Sequence, residues 1–207
     1  MTRRPRAAAR DAQAMEERLL GALERLLAHE PSYTTLSVAR LAREAGIARA
    51  TFYLHFRDKS DLVQRLLARV EDEMIAAGGA WFRHAEDFAY ADLRAAMQRF
   101  AGVYRAHGAI LRVAEETAAY DPDIAALYAR TLDRFRAETR GAVRRIAAAG
   151  RAHASLPPQL GDVLAWAADH LYVRHVANLP EAELGPLLDA MTHLVWSAVF
   201  AAPPGDA

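Results

Sequence analysis

The sequence predicts an all-α protein. Apolar residues recur at helical spacing along nearly the whole chain. Runs of β-branched residues with period-2 alternation do not occur. Gly46, Gly78-Gly79, Gly150 and Pro157-Pro158 punctuate the gaps between the helical segments.

The elements follow in order. Residues 1–10 hold four arginines and no acid, and read as a flexible basic arm. From about Asp11 to His29, Met15, Leu19, Leu20, Leu23, Leu26 and Leu27 make one apolar face, with Pro31 just beyond the end. Ser37 caps a short helix whose inward residues are Val38, Leu41, Ala42 and Ala45. Gly46 follows at once, where a positive φ lets the chain turn sharply. A second short helix runs from about Arg49. Asp58 caps a longer one carrying Leu62, Val63, Leu66, Leu67 and Val70. Gly78-Gly79 breaks it. Five further helices are expected at about 88–106, 109–119, 122–149, 158–178 and 182–201, with Asp121-Pro122 a cap and first-turn proline. The last two are apolar nearly all round and need covering on more than one side. A second copy of the chain would do this.

Composition bounds the function. Apolar residues make up 53% and charged residues 25%, which excludes disorder for most of the chain. No apolar run reaches the roughly 18 residues of a membrane span. No apolar signal core follows the basic N-terminus, so a cytoplasmic protein is expected. The absence of cysteine excludes disulfides, thiol catalysis and thiolate metal sites. The net charge of +0 hides an asymmetry: residues 1–70 carry 13 basic and 8 acidic side chains, a net of +5, and the rest carry the compensating −5. Only the front half is suited to a polyanion.

Two short helices around a glycine turn make a helix-turn-helix. On the second helix Phe52 and Phe56 lie about 40° apart and point into the core with Ile47. Ala50, Thr51 and Leu54 lie on the opposite face, which would meet the floor of a DNA major groove. Arg49, Tyr53 and His55 flank that face. Arg49 suits a phosphate or guanine O6/N7, and Thr51 a thymine methyl or a phosphate. Ser37 and Lys59, at helix starts, bring donors and helix dipoles to the backbone.

The string Ser37-Val38-x-x-Leu41-Ala42-x-x-Ala45-Gly46-Ile47-x-Arg49-x-Thr51-Phe52-Tyr53-x-His55-Phe56-x-x-Lys59-x-x-Leu62 resembles the DNA-binding domain of the TetR family of bacterial transcriptional regulators. The C-terminal half is similar to the subgroup regulating an ethionamide-activating monooxygenase. The resemblance implies that Ser37, Thr51, Tyr53, His55 and Lys59 hold the DNA backbone, while Arg49 and Ala50 help read bases. One departure is Ala48, where the family often has a Ser or Thr cap. The resemblance implies a helix-turn-helix domain over 1–58 and a helical effector-binding and dimerisation domain over 59–207.

Two stripes support an effector pocket independently. Leu93, Met97, Phe100 and Tyr104 share one spacing, and Tyr128, Leu132, Phe135 and Thr139 repeat it. Facing each other, they would form an aromatic slot. Trp166, Asp169 and Tyr172 would close one side, with Trp196 at an end and Asp169 fixing a ligand's polar group. Such a slot suits a small hydrophobic or amphipathic effector. The alternative is ordinary core. None of the eight histidines forms an H-x-x-x-H pair, and no phosphate loop or nucleophile elbow stands out, so no enzyme, cofactor or metal is expected.

The expected function is a ligand-released repressor that binds a pseudo-palindromic, double-stranded operator as a homodimer through its last two helices, away from membranes. The alternatives are an architectural DNA-binding protein without a ligand, or an α-helical enzyme or carrier on the same fold.

Overall fold

The computed structural model describes residues 4–27, 29 and 32–202. Among these it contains nine α-helices and no strand: α1 (Arg4–Leu27), α2 (Val38–Glu44), α3 (Arg49–His55), α4 (Lys59–Ala77), α5 (Gly79–His84), α6 (Tyr90–Ala118), α7 (Pro122–Ala148), α8 (Leu160–Arg174) and α9 (Glu181–Val199). Short 3-10 turns occupy Ala85–Asp87 and Val176–Asn178. The fold class is as the sequence predicts. Two local expectations need correction. Helix α1 begins at Arg4, so residues 4–10 are helical where an arm was expected; Met1–Arg3 and Pro31 lie outside the described residues. The glycine pair ends α4 as expected, but a short helix, α5, starts on Gly79 itself. The helices expected at 88–106 and 109–119 are the two arms of α6, which meet at the non-helical His107 (φ −121°, ψ 15°).

The chain divides into two compact units. The first comprises residues up to Arg69 together with Ala109–Ala129; the second comprises Val70–Gly108 and the chain from Arg130 onward. Helices α4, α6 and α7 each contribute residues to both.

In the first unit Leu19, Leu23, Leu41, Phe52, Phe56, Leu62, Leu66, Ile110 and Ile124 are buried together as core. The helix starts are fixed by side-chain caps. Asp58 Oδ1 accepts the Asp61 amide at 2.8 Å, and Asp61 Oδ2 reaches back to the Arg57 amide at 3.0 Å. Asp121 Oδ1 accepts the amides of Asp123 and Ile124 at 3.0 and 3.2 Å.

The second unit is an aromatic core built on α5, the first part of α6, and α7 to α9. Phe82, Phe100 and Phe135 meet edge to face or tilted at 5.5–6.0 Å between centroids. Helix α8 is anchored to α7 by charge: Asp162 Oδ1 accepts Arg136 Nε at 3.0 Å and Arg140 Nη1 at 2.9 Å. It lies close because Gly161 carries no side chain. A Cβ there would stand 2.9 Å from the Arg140 Cα.

Candidate nucleic-acid interface and effector cavity

The interface is assembled from the turn outward. Ser37 has extended φ/ψ, and its Oγ accepts the Arg40 amide at 3.2 Å, closing the first turn of α2. At the other end Gly46 takes φ +67°. The Ile47 amide then bonds the Ala42 carbonyl at 2.9 Å and the Gly46 amide the Arg43 carbonyl at 3.0 Å, satisfying the last carbonyls of α2. Arg18 of α1 covers this corner, its Nη2 donating to the carbonyls of Ala45 and Gly46 at 3.0 and 2.7 Å.

Helix α3 starts at Ala48 without a side-chain cap, as its sequence requires. Its inward face is Phe52, which is fully buried, with Phe56 behind it at 5.2 Å between centroids. Arg49 and Ala50 are exposed; Thr51 and His55 are half-buried. Tyr53 is 46% exposed and Leu54 82% exposed. The Arg49 guanidinium lies 5.6 Å from the centre of the Tyr53 ring, drawn to the flank of the helix.

Three of the expected backbone contacts converge. Ser37, Tyr53 and Lys59 border one shallow hollow, together with Val38, Asp58 and Ser60. The N-termini of α2 and α4 both open onto it, a setting suited to phosphate. The Lys59 ammonium is already engaged: it donates to the carbonyls of Tyr33, Thr34 and Leu36 at 3.0, 3.2 and 2.7 Å. Burial, opposed by the nearby Glu116 carboxylate, brings its pKa below the ordinary lysine value.

Glu116 is a site residue that no motif in the sequence marks. Its carboxylate accepts the Ser32 hydroxyl and, at 3.1 and 3.4 Å, the amides of Tyr33 and Thr34. Burial opposes its ionisation, yet these bonds hold its carboxyl below the usual range. It thereby orders the loop that leads into α2. No sequence pattern joins residues so far apart in the chain.

The second unit contains a narrow apolar cavity that opens to solvent, with about 380 Å³ of atom-free space when the solvent at its mouth is counted. Of the residues expected in an effector slot, Met97, Phe100, Phe135, Thr139 and Tyr172 line it. Trp81, Leu164, Ala165, Ala168 and Val195 complete the wall and were not among the candidates. Trp81 was missed because α5 was read as a break. The other candidates fall elsewhere. Leu93 is fully buried. Tyr104 stacks on Tyr172 at 4.8 Å and donates its hydroxyl to Asp169 Oδ1 at 3.2 Å. Tyr128 belongs to the first unit, and Leu132 is half-buried outside the wall. Trp166 is exposed, with Arg136 over its ring at 4.6 Å, and Trp196 stacks on Phe200 at 3.9 Å. Helical spacing groups residues by face, but it does not say which stretch of a long face meets a void.

The cavity wall carries no charged side chain. The Thr139 hydroxyl is spent on the Phe135 carbonyl at 2.9 Å, and that of Tyr172 on the Met97 carbonyl at 3.0 Å.

Comparison with known proteins joins these geometries. Residues 19–66 match the family model of bacterial regulatory proteins of the tetR family. Residues 19–66 are thus a DNA-binding domain of the tetR family type. The whole fold agrees. A TetR-family regulator from Mesorhizobium loti is similar at a TM-score of 0.67 and 18% identity, over 97% of this chain and 100% of that one. The TetR-family regulator PfmR from Thermus thermophilus reaches a TM-score of 0.71 at 18% identity, over 89% and 97%. A regulator from Saccharomonospora viridis in complex with choline reaches 0.66 at 18%, over 90% and 98%. The chain thus pairs a tetR-type helix-turn-helix domain with a helical C-terminal region of the same overall fold as these regulators. No helix among the described residues is long and apolar enough to cross a membrane.

Proposed function

We propose that the chain is a repressor that binds a pseudo-palindromic operator as a homodimer and is released by a hydrophobic effector. The observation that carries the DNA-binding part is the outer face of α3. It leaves Arg49, Ala50, Tyr53 and Leu54 in solvent while Phe52 and Phe56 anchor the helix from behind. A helix held this way fits a major groove, with Ser37, Tyr53 and the amides at the starts of α2 and α4 on the phosphates. Thr51, His55 and Lys59 complete the backbone-facing set.

Dimerisation is proposed through α8 and α9, where Val163, Trp166 and Leu194 are each more than half exposed. Twofold pairing would set two reading helices about 34–36 Å apart, or a multiple of that, on successive grooves. The effector is proposed to be uncharged and largely apolar, because neither wall charge nor free wall hydroxyl awaits a polar partner. Met97 and Phe100 place α6 in the cavity wall, and α6 continues past His107 to Glu116. Movement of this helix on ligand entry is the proposed route to DNA release.

The test is a gel shift with duplex DNA from the chain's own upstream region. Specific retardation is expected, with Arg49→Ala relaxing discrimination at one base position by about 1–3 kcal/mol. Trp166→Glu should yield monomers in sedimentation and lose operator binding. A folded chain that retards no duplex over competitor DNA would overturn the reading.

One observation favours a second reading, a DNA-binding protein without a ligand. Only about 30 Å³ of the cavity admits the centre of a water molecule. A panel of apolar compounds raising the thermal midpoint would decide for the repressor.

A further inference from the structure

The centre of the reading face is apolar. Ala50 and Leu54 stand one turn apart on the same side of α3, and both are exposed. Leu54 is the most exposed large apolar side chain among the described residues, at 82%. Thr51 on that side is half-buried, and the other polar groups of the helix are at its margins. Arg49 is drawn over the Tyr53 ring, and Tyr53 borders the hollow shared with Ser37 and Lys59. The middle of the face offered to a groove floor is thus made of two hydrocarbon side chains.

The major groove offers one apolar group to such a pair, the C5-methyl of thymine. The net charge of +5 over residues 1–70 supplies the attraction to duplex DNA, and the charged and hydroxyl groups flanking Ala50 and Leu54 supply its register. We propose that Leu54, with Ala50, reads the methyl group of a thymine in each operator half-site, and that this contact is a determinant of sequence choice. The inference rests on the proposal that α3 enters a major groove.

The experiment separates the two. Duplexes bound by the full chain are selected from a random library. Each thymine of the selected half-site is then replaced singly by uracil, which deletes the methyl and leaves every hydrogen bond. At one thymine per half-site the wild-type chain is expected to lose affinity about fourfold, the equivalent of ~0.8 kcal/mol for one methyl-sized group withdrawn from contact. Changing both half-sites should multiply the losses. Leu54→Ala should bind the thymine and uracil duplexes with nearly equal affinity, while Leu54→Met should keep most of the preference. Leu54 is exposed, so circular dichroism should show all variants folded. Failure to select any duplex overturns the DNA reading and this inference with it. Selection followed by binding that no uracil weakens overturns the inference alone. So does a uracil penalty that Leu54→Ala retains in full.

Discussion

Tyr33 and Lys59 are tied to each other twice: the phenol donates to the Lys59 carbonyl at 3.1 Å, and the ammonium donates to the Tyr33 carbonyl at 3.0 Å. The same ammonium lies 4.6 Å from the Tyr33 ring centre. One lysine therefore fastens the loop before α2 to the first turn of α4. The two segments it joins are those that border the proposed phosphate hollow. In the proposed complex with DNA it would shape that hollow as much as charge it.

Lys59→Met keeps the stem and removes three charge-assisted bonds. We expect a loss of about 1–3 kcal/mol of stability in urea unfolding, and weaker binding to every DNA sequence alike. Lys59→Arg should not restore the parent, because a planar fork does not match three carbonyls converging on one point. Parental stability in Lys59→Met would show that the tether is dispensable.

The first unit should be the acid-sensitive one. Glu116, Asp61 and Asp121 all lie in it, and all three carboxyls are held below their ordinary values of 4.5, 3.8 and 3.8. For Asp61, burial is outweighed by the Arg57 amide and the Arg65 guanidinium; for Asp121 the Ser60 hydroxyl leads. A depressed folded pKa contributes stability that is present above the unfolded value and lost as pH falls through the folded one. Stability should therefore be flat near neutrality and decline from about pH 4.5 downward. Glu116→Gln should lower stability at pH 7 and flatten the acid limb. An unchanged slope in that variant would remove Glu116 from the account.

Ala48 leaves the start of α3 without a side-chain acceptor. Ala48→Ser is expected to stabilise the domain by about 1 kcal/mol, through a hydroxyl on the amide two or three residues ahead. Thermal unfolding would read it as a higher midpoint. A lower midpoint would mean that the residue has another role.

Ala168 lies in the cavity wall and is half-buried. Ala168→Phe should fill the cavity with little change in DNA affinity. Compounds that release the parent from DNA should then fail to release the variant, as gel shifts would show. Release at parental concentrations would locate the effector elsewhere.

Much of the fold was legible because its signals are local. Ser37, Gly46, Asp58 and Asp121 act on residues one turn away, and each does what its position in the sequence requires. The exposed face of α3 was legible for the same reason, since a short helix with two buried phenylalanines has its other side determined. Ala48 was read correctly as an uncapped start. The cavity was only partly legible. Phe100 and Phe135 were found by spacing, but Trp81 and Ala168 are defined by which helices converge, a long-range property that periodicity does not encode. Glu116 escaped for that reason too: two adjacent glutamates at a helix end look like solvation until the loop they hold is in view.

The missing side chain at Gly161 bears on the width of the cavity. The hydrogen that stands in for a methyl there lets α8 rest on the α7 backbone, and both helices contribute to the cavity wall, through Leu164, Ala165 and Ala168 on one and Phe135 and Thr139 on the other. The breadth of the cavity is thus gauged by one absent carbon atom. A methyl group at this position would wedge the two walls apart and, under the proposed function, widen the choice of effector without altering any residue that touches it.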